Sequence, residues 1–254
     1  MYLETLFGLS NKVAVVTGGS RGIGQTIACG LARAGAEIAI LCRSNADDTI
    51  KMIEEKGGKA YWISTDIQKK EDVDSALTEI LHRSGTIDIL FNNAGICIHH
   101  TASEVSVQQF KKVMNVNVIG QFIVARAVGE IMKKQNTEGS IINMASMSGS
   151  IVNVPQMQSS YNASKAAVIH LTKSLSVEWA QSKIRVNSLS PGYVNTKMSS
   201  ETPQDLKEDW LSLIPMHRFA QPEELITAVF YLASDNSSYT TGSDIIIDGA
   251  YTCQ

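Results

Sequence analysis

A parallel β-sheet covered by helices on both faces is the α/β architecture this 254-residue sequence predicts. Three observations carry it. Short apolar, β-branched runs near residues 12–17, 37–41, 60–64, 87–92, 139–145, 184–190 and 244–248 alternate with helical patterns. A glycine-rich turn separates the first run from the first helix. No Pro/Ser linker, charge block or internal repeat divides the chain, so one domain over 1–254 is expected.

Composition narrows the function. With 44% apolar residues the chain can bury a substantial core. A formal charge of −3 and dispersed Lys and Arg supply no basic field for nucleic acid. No run approaches the roughly 18 apolar residues of a membrane span, so no membrane partner is expected. Cys29, Cys42, Cys97 and Cys253 lie far apart without C-x-x-C or Cys/His spacing, which fits a reducing compartment. The N-terminus carries Glu4 and no basic region, and a cytoplasmic protein is expected.

Taken in order, the first strand holds Val13-Ala14-Val15-Val16 and leads into Thr17-Gly18-Gly19-Ser20-Arg21-Gly22-Ile23-Gly24, after which Ile23, Ile27, Leu31 and Ala34 mark a helix. Gly18 permits the tight turn, Gly22 lets backbone approach a pyrophosphate, and Gly24 lets helix pack on strand, leaving N–H groups and a positive dipole end toward an anion. The spacing G-x-x-x-G-x-G departs from G-x-G-x-x-G. At the end of the second strand, where NAD binders place an acidic residue for the ribose hydroxyls, stands Cys42. Arg43 and Ser44 follow, and with Arg21 two guanidinium groups can converge on a 2′-phosphate, so NADP(H) is the preferred coenzyme and NAD(H) the second choice. The bland alternative is a pair of surface arginines. Asp66-Ile67, after the third strand, is placed either to bond an adenine amino group or as a solvated loop. Asn92-Asn93-Ala94-Gly95 closes the fourth strand, a turn that faces the coenzyme by its position. His99-His100 point oppositely in an extended segment without nearby carboxylates, so no metal is expected.

The fifth strand, Ile141-Ile142-Asn143-Met144-Ala145, ends at Ser146, which emerges at the carboxyl edge where open α/β sheets bind ligands; Ser148 and Ser150 are its rivals. Tyr161 and Lys165 stand four apart, which in a helix puts phenol and ammonium on one face. A cation close by favours the phenolate, and moving its pKa from ~10 to ~7 takes roughly 4 kcal/mol. The same helix carries Ala163, Ala166, Ala167 and Trp179, expected as core or subunit contact. From Gly192 to Gln221 the sequence turns polar, which predicts a substrate flap over 192–221 with a short helix around Asp205–Leu213.

Together TGGSRGIG at 17–24, Asn92-Asn93-Ala94-Gly95, Asn117, Ser146, Y-x-x-x-K at 161–165, and Pro191-Gly192 followed by Thr196 resemble the short-chain dehydrogenase/reductase family over essentially the whole chain. The resemblance implies a single Rossmann-type, doubly wound domain with a seven-stranded parallel sheet, assembled as a homotetramer. It implies Tyr161 as general acid or base, Lys165 lowering its pKa and bonding the nicotinamide ribose, Ser146 holding the substrate oxygen, and Asn117 anchoring a proton-relaying water. Asn115 competes for that last role, and Phe122, five residues beyond Asn117, selects Asn117 by the family pattern. The implied coenzyme residues are Gly18, Ser20, Arg21, Gly22, Ile23, Gly24, Arg43, Ser44, Asp66, Ile67, Asn93, Ala94, Gly95, Tyr161, Lys165, Pro191, Gly192, Val194 and Thr196.

Within the family, the stretch from Met144 to Gln156 and the closing Asp248 to Cys253 are similar to sugar-alcohol and ketose reductases such as sorbose and L-xylulose reductases. Ser148, Asn153 and Gln156, with His99 beside them, suit a polyhydroxylated carbonyl/alcohol substrate. Two other readings stand beside this one. A 3-oxoacyl-thioester reductase shares every catalytic motif, but an acidic flap (Glu201, Asp205, Glu208, Asp209 against Lys197 and Lys207) disfavours an acidic carrier. A noncatalytic NADP-binding sensor or scaffold has no need of a tuned phenol.

Overall fold

Alternation within each strand decides which layer a residue enters. The computed structural model describes residues 2–196 and 203–254. After a short helix α1 (Tyr2–Phe7), strand β1 (Val13–Thr17) is buried along its whole length. Val13 and Val15 face one helical layer, while Ala14 and Val16 face the other. Helix α2 (Gly22–Arg33), β2 (Glu37–Cys42), α3 (Asp47–Glu54), β3 (Ala60–Ser64), α4 (Lys70–Ser84) and β4 (Ile89–Asn92) complete the first half. The fourth strand starts two residues later than the apolar run predicts, and just before it the Asp88 carboxylate accepts the Val13 N–H at 2.8 Å at the entry of β1.

The second half consists of α5 (Val107–Met114), α6 (Gln121–Gln135), β5 (Gly139–Met144), α7 (Ser159–Trp179), β6 (Ile184–Pro191), α8 (Gln204–Leu213), α9 (Ile226–Ala233) and β7 (Asp244–Ile247). All strands run parallel in the order β3-β2-β1-β4-β5-β6-β7, so the chain reverses its direction of travel between β1 and β4. That junction is where doubly wound sheets open a crevice at their carboxyl edge. This is the Rossmann-type arrangement expected, with the helical layers as predicted.

One layer packs Ile27, Leu31, Val229 and Leu232 on the sheet; the other packs Val73, Ile80, Val124, Met132, Leu175 and Trp179. Each fully buried side chain of this size stabilises by roughly 1.5–3 kcal/mol. Trp179 is core, lying against Gly129, where an added Cβ would meet its ring at 2.8 Å. No helix among the described residues is long and apolar enough to cross a membrane. Of the predicted flap, residues 197–202 lie outside the described residues, including Lys197 and Glu201; the short helix expected near Asp205–Leu213 is α8.

Candidate active site

The crevice is built first from backbone. Gly18 turns with φ +68° and Gly22 with φ +58°, in the left-handed region that disfavours side chains. A Cβ on Gly24 would stand 2.3 Å from the Gly18 carbonyl oxygen, so α2 seats against the turn only because that atom is missing. Arg21, at the N-cap of α2, makes no side-chain capping bond. The first-turn N–H groups and the dipole end therefore face the crevice, which suits an anion.

The cleft measures about 490 Å³. Its wall includes Gly18, Ser20, Arg21, Gly22, Ile23, Gly24, Arg43, Ser44, Asp66, Ile67, Asn93, Ala94, Gly95 and Thr196, all expected from sequence. Ser20 and Ser44 bring their hydroxyls to 3.4 Å of each other beside the two arginines. Burial works against ionising Asp66, but the backbone and side-chain N–H groups of Gln68, then Arg43 and Lys69, hold its carboxyl below the usual range. One Asp66 oxygen accepts both Gln68 bonds at 3.1 Å, which leaves the other for a ligand. Cradle, hydroxyls and guanidiniums fit a phosphorylated dinucleotide.

Not every expected residue reaches this wall. Pro191, Gly192 and Val194 lie at the end of β6 and off it: Val194 is buried in the core beside Ala220, and a Cβ on Gly192 would meet Asp248 Cα at 2.7 Å. Sequence reasoning missed Leu41, Thr65, Gln68, Ile96 and Val116, which complete the wall, and passed over Cys42 as a lining group. They flank expected residues but belong to no motif. It also missed Thr17. The Thr17 hydroxyl accepts the N–H groups of Asn93 at 2.9 Å and Ala94 at 3.0 Å and donates to Asn92 Oδ1 at 3.3 Å. Asn92 donates onward to Asn143 Oδ1 at 3.2 Å, and Asn143 to Thr172 at 3.0 Å, forming a buried polar row across three strands beneath the cleft.

Gly95 joins the cleft to the acid–base group. A Cβ there would stand 3.2 Å from Asn117 Oδ1 and 3.7 Å from Lys165 Nζ. Asn117 sits in a π-helical turn, Asn115–Gly120, between α5 and α6. Its amide accepts from Ile96 N at 2.8 Å and donates to Ile96 O at 2.8 Å and Ser164 Oγ at 3.0 Å. Asn115 is exposed, so of the two asparagines the turn carries Asn117 inward.

Tyr161 and Lys165 share one face of α7, with Nζ 5.5 Å from the ring centre. The expected lowering of the phenol pKa is not what this geometry gives. Burial pushes Tyr161 well above its ordinary value, Cys97 adds to the rise, and the Ser146 hydroxyl acts the other way. Lys165 is itself buried and lowered to about 8, and it donates to the Met144 carbonyl oxygen at 2.7 Å. Desolvation of the phenolate is the largest cause of the rise.

On the substrate side, Ser146 leaves β5 as expected and donates to Ser148 Oγ at 3.1 Å; Ser150 is exposed. Asn153 and Gln156 depart from expectation. Asn153 donates to Tyr193 Oη at 3.3 Å and accepts from Gln158 Nε2 at 3.0 Å. Gln156 donates to Tyr193 Oη at 2.7 Å and accepts the Trp210 indole N–H at 2.7 Å. Both carbonyl oxygens and one N–H of each are thus engaged inside the protein, where these amides brace the pocket, and one N–H of each is left over. Tyr193 stacks on Trp210 at 4.4 Å and 17°, closing a three-membered junction of loop, strand end and α8. Tyr251 and Phe219 flank it. Neither Tyr193 nor Gln158 was foreseen; the only available signal was their place next to Pro191-Gly192 and just before Tyr161. His99 is pushed below its ordinary pKa by burial and then by His100, and no metal-ligating cluster occurs among the described residues.

A Rossmann-type sheet, a glycine cradle at its reversal point and a Ser-Tyr-Lys-Asn group one residue beyond define a dinucleotide-site α/β protein. Comparison with known proteins identifies the family. A family model described as enoyl-(acyl carrier protein) reductase matches residues 18–252. A sorbose reductase of Candida albicans is 46% identical over 98% of this chain and 89% of its own. An NADP-dependent mannitol dehydrogenase of Alternaria alternata is 41% identical, covering 98% of this chain and 95% of its own. The crystal structure of a short-chain type dehydrogenase/reductase from Mycobacterium marinum is 43% identical and superposes with TM-score 0.95 over 98% of each chain. The chain belongs to the short-chain dehydrogenase/reductase family of oxidoreductases.

Proposed function

We propose that this protein is an NADP(H)-linked oxidoreductase that reduces a ketose to its polyol and runs in reverse as a polyol dehydrogenase. The observation that carries the reading is Gly95, which lines the coenzyme cleft and packs beside Lys165 and Asn117, so that cleft and acid–base group are continuous. The relatives that reduce sorbose or oxidise mannitol support the substrate class, and the NADP dependence of the mannitol enzyme supports the coenzyme. NAD(H) is the weaker substitute.

The nicotinamide, when bound, supplies or accepts the hydride. In reduction Tyr161 gives its proton to the carbonyl oxygen, and burial that keeps the phenol protonated suits that role. Ser146 donates a hydrogen bond to the same oxygen as charge develops. Lys165 holds the ribose and replenishes the proton, with Asn117 as the anchor of the relay behind it. Arg21, Arg43, Ser20 and Ser44 grip the 2′-phosphate. Residues 192–221 act as the substrate flap. Exposed apolar residues on α5, α7 and β7 (Val107, Val177, Ile246) support a homotetramer, and four unpaired cysteines agree with a cytoplasmic location; light scattering tests the assembly.

Nicotinamide absorbance, followed with NADPH or NADH against ketoses, diketones and acyl-thioester ketones, tests the function. Turnover of ketoses with NADPH is expected. Activity confined to acyl-thioesters would replace the reading with the carrier-protein one, and no turnover at all would favour a noncatalytic binder. Tyr161→Phe should lose about 10³-fold in kcat while retaining coenzyme affinity.

A further inference from the structure

Behind Ser146 stands a small hydrogen-bonding assembly that the reaction as described does not use. The Ser146 hydroxyl donates to Ser148 Oγ at 3.1 Å, while the Ser148 N–H donates back to Ser146 Oγ at 3.2 Å. Gln158 Nε2 donates to Ser148 Oγ at 3.3 Å. A serine hydroxyl has one proton and two acceptor positions. Ser148 is therefore offered a donor at each acceptor position and keeps its own proton, whereas Ser146 has its proton turned toward Ser148 and its outer side toward the Tyr161 phenol.

The pair can reverse without losing a bond. When Ser148 turns its proton onto Ser146, one O–H···O bond is exchanged for another. Ser146 then accepts from both the Ser148 N–H and the Ser148 O–H, and its single proton is left to point outward, toward the Tyr161 phenol and the substrate oxygen that lies against it. Both serines are buried, so water does not compete for these positions. Gln158 Nε2 also lies 3.0 Å from Asn153 Oδ1 and 3.0 Å from Asn162 Oδ1, so its two protons are shared among three oxygens, of which Ser148 Oγ is one. Turning the amide over would set its oxygen against the Asn153 and Asn162 amide oxygens.

We propose that Ser148 and Gln158 are positioning residues that act through Ser146, filling its acceptor positions so that its proton is delivered to the substrate oxygen by reversal of the Ser146–Ser148 hydroxyl pair. The hydrogen bond so delivered is strongest when charge builds on that oxygen, so its loss falls on kcat rather than KM. This also gives Ser148 a role other than the substrate contact its position first suggested. The inference rests on Ser146 being the group that binds the reacting oxygen.

The test is steady-state kinetics on whichever carbonyl compound the enzyme turns over, with Ser146→Ala, Ser148→Ala, Ser148→Thr, Gln158→Met and the Ser148→Ala/Gln158→Met double variant. Ser148→Ala should lower kcat about tenfold, less than the roughly 100-fold or more expected for removing the donor itself in Ser146→Ala, with KM within about twofold. Ser148→Thr, which keeps the hydroxyl, should recover most of the loss. Gln158→Met should cost about threefold, and the double variant should be no slower than Ser148→Ala alone, since one residue acts through the other. A wild-type kcat in Ser148→Ala, a change in its KM alone, or multiplying losses in the double variant would overturn the proposal. If Gln158→Met fails to fold, the Ser148→Ala and Ser148→Thr pair decides. A wild-type kcat in Ser146→Ala would instead remove the reading on which the proposal stands.

Discussion

The wall of the cleft from Gly18 to Gly95 is shaped by backbone, whereas the wall from Ser146 to Trp210 is shaped by side chains that hold one another. On the first, φ values of +68° and +58° at Gly18 and Gly22 strain any side chain, and the 2.3 Å approach at Gly24 leaves no room for one. On the second, Gln156 bridges Tyr193 and Trp210 through ordinary amide hydrogen bonds of 2.7 Å, a job several residue types could do. The contrast teaches where a site is rigid by sterics and where it is rigid by pairing. Substitutions should therefore fail abruptly on one side and gradually on the other.

Gly24→Ala breaks the steric side most severely. Its methyl group must displace either the Gly18 carbonyl or the α2 terminus, so coenzyme affinity should fall up to about 100-fold, the equivalent of ~3 kcal/mol of overpacking. Coenzyme titration by fluorescence reads this, and near-normal affinity would show that the turn yields. Arg43→Asp keeps the backbone and changes only the charge. Losing a charge-assisted bond to a 2′-phosphate is worth about 2 kcal/mol, which should swing the NADPH/NADH efficiency ratio by about 30-fold toward NADH. An unchanged ratio would mean that Arg43 is a surface residue.

The pH profile sharpens the comparison next. A phenol whose pKa is raised keeps its proton to higher pH, so reduction should stay flat between about pH 6 and pH 8, while oxidation, which needs the ionised form, should climb up to about tenfold per unit. A reduction rate that declines across that range would mean the phenol ionises near neutrality, as Lys165 alone would make it do. Trp210→Phe should have the smallest effect. It retains the stack on Tyr193 and loses only the indole N–H, so KM should rise about fivefold for ~1 kcal/mol, with kcat and coenzyme affinity unchanged. A change in coenzyme affinity instead would show that the two walls are coupled.

The same contrast explains what could be foreseen in the amino-acid sequence. Strand positions, the two helical layers and the cradle at 17–24 were legible because apolar runs alternating with helical patterns, and glycine sterics, leave few alternatives. Asn117 could be chosen over Asn115 only through the family pattern, because its inward turn depends on a π-helical insertion that no local spacing announces. The bracing bonds of Asn153 and Gln156 to Tyr193, Gln158 and Trp210 were not legible because polar residues near a carboxyl edge look alike whether they face a ligand or each other. For Tyr161 the spacing reveals the ammonium one turn away, but not the burial that pushes the phenol up or the Met144 carbonyl to which Lys165 donates.

The polar row of Thr17, Asn92 and Asn143 has a consequence for how this scaffold can change. Each of these side chains satisfies its neighbour in a buried layer, so swapping any one for an aliphatic residue strands the next. New specificities in this protein must therefore be written on the rim, in the segments around Gln156, Tyr193 and Trp210, while the floor they stand on is inherited whole.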